Sequence, residues 1–170
     1  KTIGNGNYFN GNQHLIFNSY KQCIIKSAII DSESSSTITF ELRDSGGVVI
    51  DDTTLNISAG IQKVNLNFDV PVGNDLQLGV ANNSLQTNGL YRNSTGANYP
   101  YNIGTAISIT QSSASTNPFD YYYFFYNIEV EIKCVSFPDS WDCDSQGNCF
   151  DPGSGNGQYN SLLSCQNNCI

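Results

Sequence analysis

One imidazole, His14, stands in a chain of 170 residues. A Ser–His–Asp or Cys–His relay would have to use it. The sequence has no Gly-x-Ser-x-Gly elbow, the turn that exposes a nucleophilic serine above its sheet. His14 opens an alternating segment in a Gly/Asn-rich stretch, where a solvent-facing or hydrogen-bonded structural histidine is expected. Glu129 and Glu131 are the best-spaced carboxylates. On one strand face their side chains lie about 7 Å apart, inside the span used for glycoside hydrolysis. Alternate glutamates also simply keep a strand face wet, and no neighbour that would tune an acid is visible. The chain therefore reads as non-enzymatic.

Two further groups have metal-like or redox-like chemistry. Asp142-Cys143-Asp144-Ser145-Gln146-Gly147 opens as D-x-D-x-x-G, the start of a calcium loop. Its candidate ligands are Asp142, Asp144, Gln146 and Asp151, and its candidate ion is Ca2+. Position 12 is Gly153 instead of Glu, and the competing reading is an Asp/Gly turn between Cys143 and Cys149. The six cysteines are Cys23, Cys134, Cys143, Cys149, Cys165 and Cys169. An even number suits disulfides in an oxidising compartment. A zinc site fits less well, because C-x5-C-x15-C-x3-C lacks C-x2-C knuckles and His14 is distant.

The binding candidates are aromatic. Tyr121, Tyr123 and Phe125 share a parity with Asn127, Glu129, Glu131 and Lys133, the nominally wet side of a strand. Three rings there need a cover: a loop, a partner or a ligand. Aromatic faces stack on the C–H side of sugar rings and neutral amides read hydroxyls, so a glycan is the leading ligand class. Tyr91, Arg92, Tyr99 and Tyr101 fall in a loop-rich segment, where binding residues concentrate. The competing and favoured reading of the Tyr-rich strand is a central strand packed on both faces. Arg92 is one of only two arginines and could equally clamp a loop carboxylate.

The elements that must position these groups are strands. Residues 1–13 are Gly- and Asn-rich and read as irregular. From there to residue 134 the period is two. In residues 61–70, Val64, Leu66, Phe68 and Val70 alternate with Lys63, Asn65, Asn67 and Asp69. Residues 37–43, 75–80 and 105–110 repeat the pattern, and residues 14–18 and 22–30 read as two more strands. Asp44-Ser45-Gly46-Gly47 suits a hairpin into a strand near residues 48–52. Residues 121–134 read as one long final strand. The expected fold class is all-β, a two-sheet antiparallel jelly-roll-like sandwich over residues 1–135. Cys23 and Cys134 open an early strand and close the last, so a bridge between them is expected. Its loop of about 110 residues would be worth roughly 4 to 5 kcal/mol on chain entropy. Residues 136–170 read as a disulfide-stapled module too small for its own core. Four cysteines there allow three pairings, and Ser161 is the expected N-cap of a short helix carrying Cys165 and Cys169.

Composition narrows the partners. Seven basic against fifteen acidic residues leave a net charge of −8, the wrong sign for nucleic acid or an anionic bilayer. No apolar run approaches the roughly 20 residues of a membrane span. Methionine is absent, so the sequence reads as a processed product or an excised piece. Asp52-Thr53-Thr54 and the sequons at Asn56, Asn82 and Asn93 are weak glycosylation signals.

Several stretches resemble a known family. Val70-Pro71-Val72-Gly73, Leu90-Tyr91-Arg92-Asn93, Tyr99-Pro100-Tyr101 and the Tyr-rich residues 121–130 resemble a domain of secreted, multi-domain, type IX-exported Bacteroidetes proteins. Ile128 stands where that domain has tryptophan, and the resemblance covers about residues 8–132. Residues 141–169 look like a separate short cysteine repeat of marine bacterial surface proteins and some large-virus proteins. The resemblance implies an extracellular or cell-surface, non-catalytic accessory module, without naming a ligand. The expected function is binding or adhesion, the partner a glycan or another cell-surface polymer. The alternative is a structural subunit of a surface filament, sheath or virion, with neighbouring protein subunits as partners.

Overall fold

A computed structural model of the chain describes residues 1–85, 89–133 and 139–169. The chain divides into two compact units, Lys1–Lys133 and Cys134–Ile170.

In chain order the first unit contains β1 (Gly6–Phe9), β2 (Leu15–Ser19), β3 (Cys23–Ser32), β4 (Ser36–Arg43), β5 (Val49–Ile57) and β6 (Gly60–Val70). It continues with β7 (Gly73–Val80), β8 (Leu90–Asn93), β9 (Tyr101–Ile103), β10 (Ile107–Ser112), β11 (Tyr122–Tyr123) and β12 (Tyr126–Ile132). These form two antiparallel sheets, the jelly-roll-like sandwich expected from the sequence. One sheet runs β5-β4-β7-β2-β10-β9. The other runs β1-β8-β3-β12, with β6 also paired to β3 and β11 to β8.

The alternation explains the layers. In β6, Val64, Leu66, Phe68 and Val70 are buried and the residues between them are exposed. β4 and β2 answer from the other sheet with Ile38, Phe40, Leu42, Leu15 and Phe17. Each such side chain contributes about 1.5 to 3 kcal/mol of burial. The Asp44 hairpin also forms. Its carboxylate Oδ1 accepts from the Gly46 and Val48 amides, each at 2.9 Å, and Gly47 takes φ +84°, a conformation glycine adopts without steric cost.

Three expectations change. Residues 1–13 are not wholly irregular, because β1 pairs antiparallel with β8. Gly6 permits this: a Cβ there would collide with the Arg92 carbonyl. Tyr91 and Arg92 accordingly lie in a strand, flanked on both sides, instead of a loop. The long final strand breaks in two. Phe124 takes φ +65° and the Phe125 amide donates to the Tyr123 carbonyl at 2.8 Å, a tight turn that resets the parity.

The second unit pairs β13 (Asp142–Cys143) with β14 (Cys149–Phe150) and carries α1 (Leu162–Asn168). Ser161 is the N-cap, its Oγ accepting from the Ser164 amide. Disulfides join Cys143 to Cys169 and Cys149 to Cys165. All four sulfurs lie within 4.8 Å of one another. The expected Cys23–Cys134 bridge falls on Cys134, outside the described residues; Cys23 is buried, with Sγ 3.8 Å from Ser19 Oγ.

Candidate functional site

The pairing of β1, β8 and β11 builds a cavity of about 170 Å3. Arg92 stands opposite Asn7 on β1 and opposite Tyr123 on β11. Directly opposed residues share a face, and so do residues two apart along a strand. Phe9, two beyond Asn7, and Tyr121, two before Tyr123, therefore join Arg92 on one side. The geometry follows that parity. The guanidinium carbon lies 3.9 Å from the Phe9 ring centroid, 4.7 Å from that of Tyr121 and 5.5 Å from that of Tyr123. Arg92 Nη1 donates to the Tyr123 hydroxyl at 3.0 Å. Tyr121 and Tyr123 stack with centroids 6.0 Å apart. Gln13, Ala114, Ser115 and Thr116 complete the lining.

Arg92 has donors to spare. Its Nε is buried and has no hydrogen-bond partner among the described residues. Nor does any described carboxylate pair with it. The clamp on a loop acid is thus not formed there. Arg43 is the opposite case: its side chain is 8% exposed, it is ion-paired with Glu41, and it donates to the Val80 carbonyl at 2.5 Å.

The other aromatic candidates separate from this cavity. Phe125 is fully buried and packs on Phe40 at 5.9 Å, inside the core. Tyr122, Tyr123, Phe124 and Tyr126 are buried as well, so the packed reading holds for residues 122–126. Tyr121 alone of the expected wet-face trio stays half-exposed. Tyr99 and Tyr101 cluster with Tyr122, at 6.0 and 5.3 Å, and the Tyr99 hydroxyl donates to the Tyr121 carbonyl. Burial pushes the Tyr99, Tyr122 and Tyr126 hydroxyls well up from their ordinary range. Tyr91 meets Tyr8 edge-on at 5.4 Å, and its hydroxyl donates to Gly4. Phe9, Gln13 and Thr116 went unnoticed in the sequence.

A larger cavity, about 370 Å3, is lined by His14, Glu41, Arg43, Gln77, Asn12 and Asn82 among others. Burial first, and then the Arg43 charge, hold the His14 imidazole down at about 4, so it is neutral at pH 7. This cavity has no aromatic wall, and its cation is already neutralised by Glu41. The expected glutamate pair is also engaged: Glu129 binds Lys63 at 2.7 Å and accepts from Ser27, while Glu131 faces Lys26 at 3.8 Å. The Lys63 and Ser27 hydrogen bonds hold Glu129 below the usual carboxylate range, the wrong direction for a proton donor.

The calcium-like motif forms a hairpin turn. Asp144 Oδ1 accepts from the Gln146 and Asn148 amides, both at 2.8 Å, and Gly147 takes φ +80°. That is the bonding of the Asp44 turn, which has no calcium signature. Asp142 and Asp151 each cap a separate amide, Gln158 and Gly153. Among the described residues no three carboxylates gather at one point. Asn93, in one sequon, is fully buried and accepts from Tyr126 and Gly4.

No helix of the described residues is long and apolar enough to cross a membrane. No family model, curated protein or solved structure matches the chain.

Proposed function

We propose that the first unit is a non-catalytic glycan-binding module, and that the Arg92 cavity is where the sugar sits. The observation that carries this reading is the juxtaposition of Phe9, Tyr121 and a guanidinium with unused donors around one small cavity. Sugar sites combine an apolar platform with a few placed polar groups, and Gln13, Ser115 and Thr116 supply amide and hydroxyl partners. The disulfides of the second unit accord with an oxidising, extracellular compartment. Attachment to a cell surface belongs to the same proposal, and the resemblance to exported Bacteroidetes modules supports it. Polysaccharide pull-down and glycan-array binding test the reading, with loss of binding expected in Tyr121→Ala. A folded wild-type protein that binds no glycan on the array would remove it.

One observation favours the alternative, a subunit of a surface assembly. Strand β5 is an edge of its sheet, and Val48, Val49 and Ile50 at its start are 66%, 45% and 44% exposed. Unpaired edges with apolar side chains are templates for strand addition. Light scattering across a concentration series separates the readings: concentration-dependent growth abolished by Val49→Lys supports assembly, and a strict monomer refutes it.

A further inference from the structure

We infer that the Arg92 cavity recognises a carboxylated sugar residue, a uronic acid or its like. This deepens the glycan reading and rests on it. The chain carries fifteen acidic and seven basic residues, yet one of its two arginines has no acidic partner among the described residues. Arg92 spends Nη1 on a neutral hydroxyl, and its buried Nε has no partner among the described residues. Two aromatic faces hold the guanidinium, at 3.9 and 4.7 Å. Stacking of this kind fixes the orientation of the planar fork without satisfying its donors in the plane. An unfilled fork matches a carboxylate, which can accept two parallel hydrogen bonds.

The same surroundings select the rest of the ligand. A uronic acid joins its carboxylate directly to a pyranose ring. One ring can then place its carboxylate on Arg92 and its hydroxyls toward the Gln13, Ser115 and Thr116 side of the cavity. The cavity holds about 170 Å3, less than the roughly 300 Å3 at which drug-sized sites begin. It therefore suits one sugar residue of a longer chain. Gln13 and Thr116 on its wall offer amide and hydroxyl groups to the sugar hydroxyls. The larger cavity lacks this capacity, because Glu41 already occupies Arg43.

Titration calorimetry with three probes tests the assignment on the whole chain: an oligogalacturonate, its methyl ester, and a neutral galactan of equal length. Removing the carboxylate charge forfeits a charge-assisted bond, so the ester and the galactan should bind about 10- to 100-fold more weakly. Arg92→Gln should lose the acid/ester difference, the acid falling to the affinity of the ester; a difference that persists in the variant would overturn the assignment. The probe comparison needs no variant, so a folding defect in Arg92→Gln cannot obscure it. Equal affinity for acid, ester and galactan would overturn the carboxylate assignment and leave the glycan reading intact. Binding of none of them, with glycans also failing on the array, would overturn both.

Discussion

Replacing each arginine by methionine separates structure from recognition, because the two occupy opposite electrostatic states. Arg43→Met strands the Glu41 carboxylate, 15% exposed, without its cation and removes the bond to Val80. Breaking a buried pair costs about 3 to 5 kcal/mol, and the partial exposure of Glu41 places this case near 3. Arg92→Met loses three cation–π contacts, about 1.5 to 3 kcal/mol together, and one hydrogen bond of about 1.5 kcal/mol. It also removes a buried unpartnered donor, returning about 1 to 3 kcal/mol, and methionine sulfur regains about 0.5 kcal/mol against the rings. At the middle of these ranges the net loss is about 1 kcal/mol. At about 4 °C per kcal/mol, Arg43→Met should lower the melting temperature by about 12 °C and Arg92→Met by about 4 °C. The assay is near-UV circular dichroism of the tyrosines, most of which lie in the first unit; the single tryptophan, Trp141, reports on the second. Equal losses in the two variants, or a larger one in Arg92→Met, would refute the assignment of Arg92 to a ligand.

Three other outcomes are expected. The imidazole proton of His14, alone in the spectrum, should titrate by NMR near pH 4; a midpoint at 6 to 7 would contradict its burial. Because that folded value lies below the ordinary 6.5, the unfolded chain binds the proton first. The contribution of neutral His14 to stability is thus complete above pH 6.5 and is lost as pH falls toward 4, and His14→Gln should flatten that part of the stability profile. Non-reducing peptide mapping should find Cys143–Cys169 and Cys149–Cys165, with Cys23–Cys134 tested in the same digest. Their 26- and 16-residue separations are worth about 3 to 3.5 kcal/mol each on chain entropy, so reduction should change Trp141 fluorescence before the tyrosine signal. Asp44→Ala and Asp144→Ala should each weaken a hairpin by about 1 kcal/mol, and millimolar calcium should shift the melting temperature of neither variant nor the parent; a calcium shift lost only in Asp144→Ala would establish the metal reading instead.

The strands were legible where a single physical signal sufficed. β6 alternates without exception from Val64 to Val70 because one face is buried and the other wet. The helix cap at Ser161 was legible because its orphan amide needs a local acceptor. β1 was not, since four residues between Gly/Asn turns are too few to display a period. The break at Phe124 escaped because a bulky residue at positive φ is an outlier that composition cannot announce. That break is what sent Phe125 into the core while Tyr121 stayed at the cavity. Asp144 fits both a turn and a calcium loop in the sequence, because both use Asp followed by Gly, and only the structure shows its bonds to the Gln146 and Asn148 amides. Arg92 was singled out by its rarity, but the absence of an acid beside it depends on long-range pairing, and Phe9 entered the site only through the β1–β8 register.

The most direct measurement of the central claim is the pair of arginine Nε–H resonances, followed by NMR while glycan is added. With two arginines in the chain, the peaks are assigned by Arg92→Met. Occupancy of the cavity should move the Arg92 peak and leave Arg43, held by Glu41, in place. Saturating glycan with both peaks stationary, or movement of Arg43 alone, would contradict the account.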